Sequence, residues 1–378
     1  MSATAAARRW LPAVALLVLC AAPAPAQITD PQFQPALARR DLTAQPLLDL
    51  ALAGERLVAV GDSGLIITSD DNGGSWVQAA VPVSATLTAV DFPTPQRGWA
   101  VGHAGVILRS DDAGSSWVLQ FDGRDANRAW LQYTAERRAR LEARLEALEA
   151  GGETDADLVY AVEDAIFDEE DAQLALETGP ADPFLDVCFL DAERGFAAGA
   201  YGMFYATADG GDSWRLQVAG IDNPGRFHFY AIHAAASGPL YLAGEQGLLY
   251  RSDDGGARFR RYPAVYDGSL FGLLPLGDAV LAYGLRGNLF LQGAGRDDWE
   301  RVAADNARSL YGGGVLDERE VLLLGAGGAA LRVTAQRRIT PLQHPSRSTF
   351  SSALRAPDGK VWLAGVEGLA RLSEAREE

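Results

Sequence analysis

The sequence predicts an all-β fold, a seven-bladed β-propeller, from three observations. A short apolar segment runs into Gly-x-x-Gly and out into a second apolar segment seven times, at Gly61/Gly64, Gly102/Gly105, Gly199/Gly202, Gly244/Gly247, Gly284/Gly287, Gly325/Gly328 and Gly365/Gly368. The first glycines lie 41, 97, 45, 40, 41 and 40 residues apart, and a period of roughly 40–50 residues built from short strands marks one four-stranded blade per repeat. An octet of the form Ser/Thr-x-Asp-x-Gly-x-x-Trp/Phe, the Asp-box, recurs in register with that repeat.

Residues 1–26 read as a signal peptide. Arg8 and Arg9 form a basic start, Leu11 to Leu19 an apolar stretch, and Ala24-Pro25-Ala26 a small-residue cleavage site before Gln27. The apolar stretch falls short of the about 20 residues a membrane span needs. Cleavage near Ala26 implies a periplasmic or secreted protein; lipidation at Cys20 is the alternative, against which stands the large Leu19.

Residues 27–41 are then expected to supply a strand that closes the last blade, because that blade, Phe350 to Leu372, runs out after its third strand. Such closure leaves no open edge. Blades 1 and 2 occupy 42–121. In the second, Leu87–Phe92, Gly98–Val101 and Val106–Arg109 are strands, and the octet Ser110 to Trp117 turns into a fourth. Four boxes carry the pairs Asp71/Trp76, Asp112/Trp117, Asp209/Trp214 and Asp254/Phe259, and the fifth repeat keeps only Trp299. An aspartate accepts backbone N–H bonds in a tight turn and a glycine reaches positive φ freely, so these boxes are structural turns. They lack the remaining ligands of a known calcium loop.

The 97-residue gap holds an insertion, residues 122–182, between blades 2 and 3; blades 3–7 follow in 183–378. Helical spacing at Trp130, Thr134, Leu141, Leu145 and Leu148 gives one helix over 127–150, stopped by Gly151-Gly152. Thr154 to Asp157 reads as a capping box opening a second helix through Leu174. The insertion carries 17 acids against 6 arginines, a net charge of −11 out of −17 for the chain. This hairpin is expected to be a docking arm or lid, or a solvated decoration.

The acidic balance argues against nucleic acid. One lysine, Lys360, beside 32 arginines is compositional bias. The mature chain has one cysteine, Cys188, in an apolar run, so an internal disulfide is excluded and a buried small side chain is expected. Strand order places every Gly-x-x-Gly loop and the insertion on one face, with the Asp-boxes opposite. The candidate ligand or partner face is therefore Asp62, His103, Tyr201, Glu245, Arg286 and Glu367 from the loops, joined by Arg226 and His228 from the entry to the fourth blade. No catalytic, metal or cofactor site is expected: there is no Gly-x-Ser-x-Gly, His-Glu-x-x-His or phosphate loop.

The phrase Gly98-Trp99-Ala100-Val101-Gly102-His103-Ala104-Gly105 followed by an Asp-box resembles the photosystem II stability/assembly factor family. The stretch Asp182 to Val187 and the run Asp209-Gly210-Gly211 are similar to its non-photosynthetic bacterial branch, often labelled BNR-repeat and encoded beside RND-superfamily exporters. The resemblance implies a non-enzymatic exported helper that docks a protein partner of the cell envelope, a membrane transporter or assembly complex such as an RND-type exporter. It also implies at most a peripheral contact with the membrane and a monomer when alone, with Arg226 and Arg286 as counterparts of the family's binding arginines. The alternatives are a carbohydrate- or lipid-binding lectin-like module and a BNR-type glycoside hydrolase.

Overall fold

The computed structural model describes residues 30–372 apart from Ala181 and Pro345, and in it the chain folds as a β-propeller. The signal-peptide segment and Cys20 lie outside the described residues. The first sheet runs Leu47–Ala53, Arg56–Gly61, Ile66–Ser69, Val77–Gln78, each strand antiparallel to the one before. Four more four-stranded sheets begin at Leu87–Asp91, Phe184–Phe189, Phe229–Ala234 and Leu270–Leu276. A further sheet has seven strands. Its four-stranded part starts at Leu310–Asp317, and a single parallel bridge, Gly313 to Ser352, joins it to Phe350–Arg355, Val361–Gly365 and Gly368–Arg371.

The seven strands Leu47–Ala53, Leu87–Asp91, Phe184–Phe189, Phe229–Ala234, Leu270–Leu276, Leu310–Asp317 and Phe350–Arg355 touch their neighbours in a closed circle and form the inner wall. The strand next outward is buried on both faces, as in Gly98–Gly102 and Leu240–Gly244. That is why it reads as a continuous apolar run instead of alternating. Clusters of buried side chains fill the wedges between neighbouring sheets; Val60, Leu87 and Trp117 belong to one, Leu50, Ile67 and Trp362 to another.

Two helices stand between Val118–Phe121 and Phe184–Phe189: α1, Gly123–Ala150, and α2, Ala156–Thr178. α1 begins four residues before the sequence expectation, because Asp122 and Asp125 form a reciprocal capping box. α2 is capped by Asp155, which accepts the Leu158 N–H, and not by Thr154. Arg137 reaches Asp164 and Asp168 at 3.0 and 2.6 Å, and Arg138 pairs with Glu142 and Glu169. Pairs that solvent still reaches, as these half-buried ones do, contribute about 0–1 kcal/mol each. The inward apolar positions Leu158, Val162, Ala165 and Ala172 therefore hold the hairpin together.

The hairpin's root is seated on the propeller. Gly105 has φ of +62°, and a Cβ there would stand 2.7 Å from the Gly123 Cα, so loop and helix start approach backbone to backbone. The Tyr205 hydroxyl donates to the Ala126 carbonyl and the Asn127 side chain to Ala175.

The expected closing strand is corrected. Residues 32–41 do not pair with Gly368–Arg371; they run along the link between the first two sheets, where Ala36 N–H donates to Val81 and Ser84 N–H to Gln32. Pro35 can donate nothing to a ladder, while Phe33 and Ala36 find apolar seats against the cluster containing Val81 and Val83. The chain then passes the last sheet at the turn Leu42–Ala44, with the Thr43 carbonyl against Gly368. Between last and first sheets, Trp362 lies edge-on to Trp76 with 5.8 Å between ring centroids, and its Nε1 donates to the Asn72 carbonyl.

Candidate functional site

The Gly-x-x-Gly loops share one construction. The N–H of the residue after the first glycine donates to the residue just ahead of the inner strand: Asp62 to Pro46, His103 to Thr86, Ala200 to Pro183, Glu245 to His228, Leu285 to Ser269 and Ala326 to Ser309, at 2.8–3.1 Å. The next residue takes a left-handed conformation, φ 51–63°, at Ser63, Ala104, Tyr201, Gln246, Arg286 and Gly327. The seventh site differs: Val366 and Glu367 make a two-residue turn between paired Gly365 and Gly368.

The Asp-boxes lie at the opposite strand ends and are internally satisfied. In the first, Ser69 and Ser75 hydroxyls donate to Asp71, as does the Ser75 N–H, and the Gly73 N–H donates to Ser69. The third repeats this at Thr207, Asp209, Gly211 and Ser213. Backbone and hydroxyl donors from Ser75 hold the Asp71 carboxyl down at about 2. The Ser213 hydroxyl, then its N–H, does the same for Asp209, also about 2. The aromatics pack inward, Trp117 against Phe92, Trp214 against Phe189 and Phe259 against Phe204. Asp112 and Asp254 hold the corresponding bonds.

Of the eight candidate face residues, four meet. The Tyr201 N–H donates to His228 Nδ1 at 2.8 Å, and the two rings stand edge-on at 4.8 Å. Glu245 accepts the His228 N–H at 2.8 Å. Arg226, itself left-handed at φ 49°, lays its guanidinium over the Trp130 indole of α1, 4.4 Å from the ring centroid. Asp62, bonded to Ser63 and Thr86, sits apart on the rim, as do His103, Arg286 and Glu367.

Two of the four that meet, Tyr201 and Arg226, line a groove under the hairpin. Two adjoining cavities of about 230 and 240 Å³ share Trp130, Tyr201, Gly202 and Arg226. One continues over Asn127, Asp171, Asp182, Met203, Tyr205 and Leu216; the other over Tyr133, Arg137, Asp168, Asn223 and Phe229. Burial raises the carboxyl of Asp182, with Arg226 and His228 opposing, and that of Asp168, with Arg137 opposing. Aromatic walls with a few fixed charges suit a ligand that is partly apolar and partly hydrogen-bonding.

Sequence reasoning missed Trp130 as a site residue, and also an aromatic arc at the channel mouth. His228 meets Tyr230, Tyr230 meets Phe271, and Phe271 meets Tyr311, with centroids 6.0, 5.1 and 5.4 Å apart. Tyr230, Phe271 and Tyr311 each sit second in an inner strand, at the register shift beside the loop. That shared position is the signal that could have found them.

Deeper in, three carboxylates stitch inner strands together: Asp49 accepts the Val90 N–H, Asp91 the Phe189 N–H and Asp186 the Ile232 N–H. Enclosure raises Asp49 and Asp91 to about 6 and Asp186 to about 8. All three residues are half-buried. Cys188 is half-buried, not fully buried as expected, and enclosure, then Asp91 and Asp186, pushes its thiol up. Among the described residues, no group of His, Cys, Asp and Glu is placed to hold a metal ion. No described helix is long and apolar enough to cross a membrane.

Residues 166–266 match the family model described as photosynthesis system II assembly factor YCF48. A curated relative, the photosystem II assembly lipoprotein Ycf48 of Synechococcus sp. (strain CC9902), is 28% identical over 206 residues, covering 50% of this chain and 58% of the relative. The chain thus spans little more than half of that protein. A solved structure described as YCF48 bound to D1 peptide superposes with a TM-score of 0.60 at 15% identity, covering 90% of this chain and 100% of that one. YCF48 from Cyanidioschyzon merolae gives 0.58 at 12% identity over 87% and 96%. The WD40 β-propeller domain of Doa1 gives 0.58 at 9% over 91% and 97%. At these identities the structures speak for the propeller fold.

Proposed function

From the photosystem II assembly factor-like family that these matches support, we propose that the chain is a non-enzymatic exported binding or assembly factor that docks a protein partner of the cell envelope. The observation that carries this reading is the groove between the hairpin and the loops holding Tyr201 and Arg226, where aromatic walls and fixed charges meet. It is shaped for an extended segment of a partner, and a structural relative is described as bound to a peptide. An RND-type exporter is the partner the sequence resemblance implies. The seven-stranded sheet counts as two blades in this reading, giving seven in all, with 122–182 as the insertion and 1–26 as the export signal.

The test places a photocrosslinking amino acid at Tyr201 and, as a control, at Asp254 on the Asp-box face. Crosslinking in native envelopes is expected to yield one membrane-protein adduct from position 201 and none from 254. Equal labelling from both would sink the reading. A second reading, hydrolysis, is kept alive by Asp171 and Asp182 lining the same cavity. Turnover of chromogenic glycosides that Asp182→Asn abolishes would favour it over binding.

A further inference from the structure

We infer that the outward face of α2 is a docking seam for a basic amphipathic helix of a protein partner. This rests on the partner-docking reading above but uses the face of α2 outside the groove, which meets the groove only along Asp164 and Asp171.

Four large apolar side chains stand in solvent on α2, and beside Val159 three of them form a line: Tyr160 at 69% exposure, Phe167 at 66% and Leu174 at 56%. They are seven residues apart. At about 100° per residue that spacing draws them into one stripe, roughly 21 Å long, on the side away from buried Leu158, Val162, Ala165 and Ala172. Two acidic rows keep the same period. Asp157, Asp164 and Asp171 run about 40–60° to one side, and Glu163, Glu170 and Glu177 about 40–60° to the other. Of these six carboxylates, only Asp164 has an ion pair among the described residues, with Arg137.

An apolar line one residue wide, bordered at i+3 and i+4 by carboxylates, is narrower than a coiled-coil seam but offers a ridge along which the apolar face of a second helix can lie. The core of this hairpin is satisfied without it, so the stripe contributes nothing to holding α1 and α2 together. The flanking charge selects the occupant. A second copy of the same face would set acid rows against acid rows, and an anionic membrane surface would repel both rows. A helix of about two to three heptads with apolar residues on one line and arginine or lysine on each side satisfies the whole face at once.

The probe is a fluorescent 21-residue helical peptide with leucine at heptad positions and arginine on both flanks, titrated into the full mature chain. A scrambled peptide of identical composition is the control. The amphipathic peptide is expected to bind at least tenfold more tightly than the scrambled one. The pair Phe167→Ser and Leu174→Ser should weaken it at least tenfold while leaving the thermal melt within a few degrees, because both side chains are exposed. Raising salt should weaken it further, and the variant Glu163→Gln, Glu170→Gln, Glu177→Gln should flatten that salt dependence. Equal binding of the scrambled peptide, or indifference to the serine pair, overturns the proposal. So does a dimer in sedimentation that the serine pair dissolves, which would make the stripe a self-interface, or equal capture of anionic vesicles. Arg226→Ala, in the groove, should leave peptide binding within twofold, so failure of the groove reading and failure of the seam give different results.

Discussion

Arg226, just ahead of the strand Phe229–Ala234, lies over Trp130 of α1 at 4.4 Å from the ring centroid, a cation–π contact that ties the root half of the first helix to the propeller. The two residues are 96 positions apart in the chain. Such a contact contributes about 0.5–2 kcal/mol depending on how dry it is. Trp130→Ala is therefore expected to lower protection from hydrogen exchange across residues 126–134 and 158–172 by up to roughly thirtyfold. The inner strands, held by their own clusters, should keep their protection. Uniform loosening of helices and strands together would show that the hairpin is not separately pinned.

Asp186 should make the propeller less stable as pH rises. Its carboxyl is raised to about 8, and Asp49 and Asp91 to about 6, all chiefly by burial. A raised carboxyl contributes stability that is complete below about pH 4, its unfolded value, and is lost as pH climbs through the folded value. Three groups act between pH 4 and 6, and Asp186 alone between 6 and 8. The slope from Asp186 is at most about 1.4 kcal/mol per pH unit. Asp186→Asn should flatten urea midpoints between pH 6 and 8. It should also cost about 1–3 kcal/mol at pH 5, because one of the Val187 and Ile232 N–H groups loses its acceptor. An unchanged slope would mean the channel keeps Asp186 fully hydrated.

Gly314→Ala should be among the costliest single substitutions. A Cβ there would lie 1.7 Å from the Ala353 carbonyl oxygen, and one at Gly312 the same distance from that of Ser351. Backbone, not a pliable side chain, is in the way, so two inner strands must part. The expected loss is about 3 kcal/mol. Gly293→Ala, which meets only the Arg296 side chain at 3.4 Å, should change the melt little. Comparable melts for the two would contradict this packing.

Asp209→Ala should lower the melting temperature by a few degrees and leave crosslinking from position 201 intact, since the box lies at the far strand ends and its bonds are internal. The depressed carboxyls of Asp71 and Asp209 contribute stability present above about pH 4 and lost as pH falls toward 2. Loss of the crosslink in Asp209→Ala would move the boxes into the binding machinery.

The repeat glycines, the Asp-boxes and the helical spacing of the insertion were legible because each is a local device whose residues lie within eight positions or recur at one period. Tyr230, Phe271 and Tyr311 were legible in principle, as residues at one shared strand position, but their edge contacts come only with the ring closed. Trp130 over Arg226 was not legible: the direction in which a hairpin folds back depends on packing at its root, here Gly105 against Gly123. Asp49, Asp91 and Asp186 read as ordinary polar positions in strands, since nothing in their neighbours announces a carboxylate bonded to the next blade. The N-terminal segment misled because an unpaired last sheet invites a donor, whereas prolines and the apolar anchors Phe33 and Ala36 sent it elsewhere.

Six loops hold their third residue at the same left-handed angle, yet display serine, alanine, tyrosine, glutamine, arginine and glycine there. The backbone pays the same conformational cost of about 1–2 kcal/mol at each non-glycine site whatever side chain it shows. Frame and message are thus separate. Ala104 is the exception, buried in the core; letters at the open positions 63, 201, 246, 286 and 327 can be exchanged without rewriting the scaffold, so the rim is a five-place dial whose recognition can drift, or be reset, while the wheel beneath it stays the same.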